Sequence, residues 1–169
     1  MQIPEFKYNP NAYLLNIIEK KNITCTCCGQ QREYRYEGPF YSEDEIDKIC
    51  PWCIKDGSAA KKYNGEFQDS GSIEDINNEA AIDEVIHRTP GYSGMQQEVW
   101  LAHCGDLCAF IGFATAKLIK PVLSELKEDI ENSGYEIDDI LESIDAEEYG
   151  GYLFKCLHCG KHRLHLDTA

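Results

Sequence analysis

Along the chain, apolar and polar positions first alternate over residues 3–10, held between Pro4 and Pro10, which suits an extended edge segment better than a helix. Alternation returns at Gln31-Arg32-Glu33-Tyr34-Arg35-Tyr36 and predicts a strand that ends at Gly38-Pro39. Ser42-Glu43-Asp44-Glu45 has the form of a capping box, with Ser at the N-cap and Glu three residues on. It predicts a short helix to about residue 48 that delivers Cys50. Residues 54–62 read as a short helix or turn with Gly57 near its start, and residues 68–78 as a surface loop. Helical spacing and propensity mark residues 79–86, stopped by Thr89-Pro90-Gly91. Residues 96–103 predict a strand and residues 106–118 the most buried helix of the chain. Two amphipathic helices follow over residues 121–131 and 137–144, Pro121 suiting a first helical turn. The chain closes with apolar-rich strands on either side of Cys156 and Cys159.

The chain has 169 residues, 43% of them apolar and 27% charged, so it can bury a core without disulfides to hold it. Its longest apolar stretch, residues 110–119, is interrupted by Gly112, Thr115 and Lys117. That falls far short of the ~20 residues that span a bilayer, so no membrane helix is expected. The first residues lack the basic and apolar regions of a secretory signal, which makes the cytoplasm the expected location.

Nine cysteines change the picture, because six of them fall into three C-x-x-C pairs. In a reducing compartment such pairs are metal ligands rather than disulfides, and an odd count argues against complete pairing. Cys25/Cys28 and Cys50/Cys53 are separated by 21 residues, close to the pattern of a tetrahedral zinc site. Thiolates three positions apart can curl round one ion, and Gly29 lets backbone N–H groups turn towards the sulfurs. Four protein ligands close a site to water, so a structural role is expected there, and Cys27 is expected to be spare. Cys156 and Cys159 form a third knuckle. Its expected partners are Cys104 and Cys108, whose i, i+4 spacing puts both sulfurs on one face if a helix starts near Cys104. His103 is the alternative ligand if it does not. Against a second site stands the plainer reading that Cys104 and Cys108 are ordinary buried small residues.

The resulting expectation is an α+β fold, with zinc-ribbon-like knuckles and short β-hairpins packed with several α-helices. A single unit over residues 1–169 is expected. Within it, residues 20–60 form an N-terminal zinc-ribbon lobe, and residues 78–169 a helical part closed by the C-terminal knuckle hairpin.

An enzyme would need His103 with Cys104, or His158, His162 and His165 with Asp106, as its machinery. Adjacent strand residues point to opposite faces, and no H-E-x-x-H, P-loop or G-x-S-x-G motif is present, so a non-enzymatic role is expected. Tyr34, Tyr36, Trp52 and Trp100 could stack on bases, but a net charge of −14 opposes a nucleic-acid partner. Between Ser124 and Tyr149 lie eleven acidic residues and one base, Lys127, so that segment alone carries −10. It reads either as a solvated helical face or as a docking surface for a basic protein.

Several blocks carry a resemblance: Gly38-Pro39-Phe40-Tyr41, Cys50-Pro51-Trp52-Cys53-Ile54 with Asp56-Gly57-Ser58-Ala59-Ala60, Arg88-Thr89-Pro90-Gly91-Tyr92, Trp100-Leu101 with His103-Cys104-Gly105-Asp106, and Leu153-Phe154-Lys155-Cys156-Leu157-His158-Cys159-Gly160. With them, nearly the whole chain resembles the CbrC family, bacterial proteins named for a role in colicin tolerance. The resemblance implies an immunity or tolerance factor that protects a bacterium by binding a toxin, and it carries over no catalytic residues. A nuclease toxin must hold polyanions and tends to be basic, so an acidic blocker gains association rate and complementarity. The competing expectation is a regulatory zinc-ribbon module that contacts nucleic acid or the transcription machinery.

Overall fold

A computed structural model of the chain describes residues 2–146 and 148–168 and shows the expected α+β fold. Two strands, β1 (Ile18–Thr24) and β2 (Gln31–Tyr36), pair antiparallel and carry the first knuckle between them. β2 lies where alternation placed it. β1 escapes alternation because a register shift between Lys20 and Ile23 puts Ile18 and Ile23, five residues apart, on the same inward side.

No helix forms over residues 42–48. The Ser42 hydroxyl donates to the Asp44 carbonyl at 2.6 Å instead of capping, and the segment has little besides Ile46 to bury, so packing gives it no reason to coil. Cys50 then acts as N-cap of α1 (Pro51–Lys55), with Pro51 at its start, and Gly57 in left-handed conformation separates α1 from α2 (Ser58–Tyr63). α3 (Glu79–Arg88) is capped by the Asn78 side chain, which accepts from the Ala81 amide at 3.2 Å.

Of the strand expected over residues 96–103, only the end is regular: β3 (Ala102–His103) forms a tight hairpin with β4 (Asp106–Leu107). Trp100 makes a single parallel bridge with Ile73. The buried helix expected over residues 106–118 is corrected too. β4 runs into β5 (Ala109–Phe113), and only α4 (Ala116–Ile119), capped by Thr115, is helical. A short apolar run reads alike as buried strand or buried helix; here Phe110 pairs with Phe154 of a later strand, and its amide donates to the Tyr8 carbonyl at 2.8 Å.

The sheet β5-β6-β7, with β6 (Tyr149–Lys155) central and β7 (His162–Thr168) closing the C-terminal hairpin, organises the rest. All of Tyr152, Leu153 and Phe154 are buried, and strand alternation sends them to opposite faces. Tyr152 and Phe154 join Tyr92, Trp100 and Phe110 in an aromatic core, where Tyr92 stacks on Phe110 with ring centroids 4.4 Å apart. Leu153 and its cross-strand partner Leu164 face a second core of Ile119, Leu126, Ile130, Ile140 and Ile144. Those residues come from α4, α5 (Leu123–Ser133), α6 (Ile137–Ser143) and the turn after α6. The first core packs the cysteine-bearing elements, and the second packs the acidic helices.

Candidate metal centres

Two of the three C-x-x-C pairs are the same construction. In each, the amide of the first cysteine donates across the knuckle, Cys25 to the Gln30 carbonyl at 2.9 Å and Cys156 to the Lys161 carbonyl at 2.8 Å. The glycine after the second cysteine returns a bond to the carbonyl of the first, Gly29 to Cys25 and Gly160 to Cys156. Both glycines are left-handed, with φ of 69° and 76°. That conformation, not lack of space, is what asks for glycine at position 29, since a Cβ there would meet nothing within 4 Å.

The first knuckle faces the start of α1. Donor atoms of Cys25, Cys28, Cys50 and Cys53 all lie within 4.8 Å of one another. The Cys50 and Cys53 sulfurs are 3.6 Å apart, and those of Cys25 and Cys53 3.9 Å apart. A tetrahedral ion with metal–sulfur bonds of about 2.3 Å sets its sulfurs about 3.8 Å apart, which the Cys53 distances to Cys25 and Cys50 match. Cys25, Cys50 and Cys53 are buried and Cys28 is partly exposed. The Cys50 amide also points at the Cys25 sulfur, at 3.3 Å. Without a cation, hydrogen bonding to the Cys25 sulfur pushes the Cys50 thiol up to about 11, while bonds from Cys50 and Cys53 lower that of Cys25. Thiols this close cannot all ionise unless a positive charge joins them. Cys27 stands outside the group, its sulfur 3.7 Å from the Ser58 hydroxyl.

The second knuckle meets a different partner, and here the expected ligand pair is corrected. His103, Cys104, Cys156 and Cys159 bring their donors within 4.8 Å of one another, and Cys108 is not among them. With no helix at Cys104, the i, i+4 relation has no geometric meaning. Cys108 is fully buried where β4 passes into β5, its amide bonded to the Leu101 carbonyl and its carbonyl accepting from the Trp100 indole. Burial pushes its thiol up to about 12, the behaviour of a core residue.

His103 takes the fourth place because Cys104 and Gly105 form the two-residue turn of the β3–β4 hairpin, with φ of 55° and 71°. Two successive left-handed residues make a type I′ turn, which normally takes Asn-Gly or Asp-Gly. The turn also overrides the alternation that would send His103 and Cys104 apart. The Nδ1 atom of His103 lies 3.2 Å from the Cys104 sulfur and 3.3 Å from that of Cys159, near the ~3.6 Å of a tetrahedral nitrogen–sulfur pair. Cys104 and Cys159 are exposed, His103 is half-buried and Cys156 is buried. Burial opposes ionisation of Cys156, yet the amides of Cys159 and His158 facing its sulfur hold it down to about 6, while the Cys159 sulfur pushes Cys104 up to about 11.

Two side-chain networks brace this centre. Buried Asp106, just past the turn, accepts from the Tyr8 hydroxyl at 2.8 Å and lies 2.9 Å from Nε2 of His158, tying the N-terminal segment to the knuckle. Its carboxyl sits below the usual range because those bonds and the Leu107 amide outweigh burial. On the other side, Arg163 donates to both Asp129 oxygens of α5 and to Glu74, and Glu74 accepts from the Ala102 amide beside His103. Glu125 accepts from the backbone and ring of His162. These contacts lock α5 onto β7. Elsewhere on the helices, Glu136, Asp138, Asp139 and Glu142 are exposed and form no ion pair among the described residues.

The fold and its two cysteine-rich groups define an α+β protein with places for metal ions. The model of the uncharacterised protein family UPF0167 matches residues 3–168, and the chain belongs to that family. UPF0167 proteins of Mycobacterium bovis and of Mycobacterium tuberculosis are each 38% identical to it over 177 residues, covering 99% of this chain and 95% of their own. A UPF0167 protein of Pseudomonas aeruginosa is 40% identical over 173 residues, covering 98% of this chain and 97% of its own. No solved structure matches the chain significantly. Among the described residues, no helix is long and apolar enough to cross a membrane.

Proposed function

We propose that the protein holds two structural zinc ions and acts by binding rather than catalysis, offering the acidic face of α5 and α6 to a basic protein. Sulfur and imidazole donors in sets of four suit zinc, and a fully ligated ion leaves no position for water or substrate. Zinc would cross-link the chain, through Cys25, Cys28, Cys50 and Cys53 in the first lobe and through His103, Cys104, Cys156 and Cys159 at the C-terminal hairpin.

The observation that carries the binding face is how the acids are distributed. Those that face the hairpin, Glu125 and Asp129, are engaged by His162 and Arg163, while Glu136, Asp138, Asp139 and Glu142 stay in solvent with no ion pair among the described residues. Following the CbrC resemblance, the partner is a nuclease-type antibacterial toxin, and the protein is a bacterial immunity or tolerance factor. Recovery of a basic toxin domain in near-equal amount with the tagged protein, in zinc-loaded form, supports this reading. Its loss after reversing the charges of Asp138, Asp139 and Glu142, with zinc content unchanged, locates the face; undiminished binding rejects it.

A second reading, a regulatory module that contacts nucleic acid, draws on the first lobe, where the Arg32 guanidinium lies 4.8 Å over the Trp52 ring beside Tyr34. Residues 1–64 carry no net charge, so all −14 charges lie beyond them. Salt-sensitive RNA or DNA binding that Trp52→Ala abolishes would favour this module.

A further inference from the structure

We propose that the groove between α5 and α6 is the anchor of the acidic face, and that it takes one large apolar side chain projecting from a basic, amphipathic segment of the partner. The inference rests on the acidic-face reading and adds the chemistry at its centre.

The groove holds about 430 Å³. α5 ends at left-handed Gly134, the chain reverses, and α6 starts three residues later. Leu126, Ile130 and Ile140 point inward to the second core. Leu123 at the start of α5, Tyr135 in the connection and Ile137 at the start of α6 line the groove and are only partly buried, Tyr135 with one edge against the Tyr149 ring. The rim is acidic. Glu131, Glu136 and one base, Lys127, line it; Lys127 pairs with Glu131 at 3.6 Å, which leaves Glu136 as the rim carboxylate with no ion pair among the described residues. The last carbonyls of α5 add partial negative charge at the same end.

An apolar slot with an acidic rim selects its occupant by both properties. A second copy of the chain would bring a −10 segment against its like, which charge repulsion opposes. A segment with Lys or Arg around a Leu, Phe or Trp satisfies slot and rim together, in the manner of a helix laid into a groove. Slots of a few hundred Å³ fit one or two such side chains.

The test uses the full-length, zinc-loaded protein and two labelled synthetic peptides of equal positive charge, one lysine-rich and amphipathic with a central tryptophan, the other with glutamine in its place. Fluorescence anisotropy at low salt reads their affinities. The tryptophan peptide is expected to bind roughly tenfold tighter or more, the scale of burying one large apolar side chain. Ser124→Phe fills the groove from α5 without altering charge and is expected to erase that difference; Leu123→Gln, which makes one wall polar, should do the same, each checked by thermal melting. Equal binding of both peptides overturns the anchor and leaves the acidic face standing. A tryptophan advantage that survives both variants places the anchor elsewhere and also overturns it. Failure of both peptides to bind overturns the anchor and the acidic face together.

Discussion

The two donor groups share a knuckle and differ in what meets it. Cys25-x-x-Cys28-Gly29 closes on the buried start of α1, whereas Cys156-x-x-Cys159-Gly160 closes on an exposed turn that supplies adjacent residues, His103 and Cys104. One centre keeps three of four cysteines out of solvent, and the other exposes two of its three. A knuckle therefore fixes where two sulfurs go, and its partner element decides how deeply an ion placed there would be held. Three sulfurs packed in a core have no route to leave singly, while an exposed thiolate on a turn can detach and rebind. The first centre is thus expected to be part of the fold and the second an exchangeable clip on the C-terminal hairpin.

The largest expected effect comes from breaking the first centre. Replacing Cys50 and Cys53 by Ser removes two buried donors, and with them the binding free energy of the proposed zinc ion, on the order of 10 kcal/mol, which would double as folding free energy. The β1–β2 lobe should then unfold, read as lost soluble yield and lost amide dispersion for residues 18–63. A double variant that keeps its dispersion and melting temperature would show that the lobe stands without metal, and the contrast would fail.

A milder test leaves the sequence intact. When a chromogenic chelator strips the zinc-loaded protein, release should be biphasic, with the fast phase from the exposed centre and at least ~10-fold faster than the slow one, a barrier lower by about 1.4 kcal/mol or more. Cys156→Ser should remove the fast phase alone. A single phase, or a fast phase that survives this change, would mean that burial does not set the rate.

Arg163→Ala probes the brace rather than the ligands. The guanidinium sits between Asp129 and Glu74, with charge pairing outweighing the burial that would discharge it, so removing it strands two carboxylates, one of them largely buried. A cost of about 2–4 kcal/mol in unfolding free energy is expected, somewhat below that of a fully buried pair. Because Glu74 also holds the Ala102 amide beside His103, the fast chelation phase should quicken as well. A variant that loses stability while the fast phase keeps its rate would uncouple the brace from the centre.

What could be read in the sequence follows the same division. The first centre and both knuckles are local, carried by C-x-x-C spacing and a following glycine, and so is the C-terminal hairpin between Tyr149 and Thr168. The acidic helices were legible from their spacing as well. The second partner was legible only in part: Cys104 was expected, and His103 stood as the alternative to Cys108, but the choice between them depends on a type I′ turn with Cys where Asn or Asp is usual, which neither residue type nor period announces. The presence of Gly105 after Cys104 was the one available signal, a residue-plus-glycine pair between short apolar runs. β1 hid behind its bulge, and the run at residues 106–118 contained the buried strand β5, which periodicity alone does not separate from a helix.

That turn supplies the smallest and sharpest test. A non-glycine residue at φ of 55° carries strain of about 1 kcal/mol, and Cys lacks the side-chain hydrogen bonding that makes Asn tolerant of it. Cys104 is held there because the turn aims its sulfur at Cys156 and Cys159, so the strain is offset only when a metal ion joins the donors. Cys104→Asn should therefore act in opposite directions in the two states. With metal stripped from the second centre, the variant should be more stable than the parent by about 0.5–1 kcal/mol, a gain of a few degrees in melting temperature for a chain of this size. With zinc supplied, it should bind one ion fewer and lose its advantage to the parent. Melting both proteins with and without zinc measures the crossing directly. If Cys104→Asn is the less stable protein in both conditions, the turn tolerates cysteine without strain, and the exposed centre is held by its own hairpin rather than by the ion it would carry.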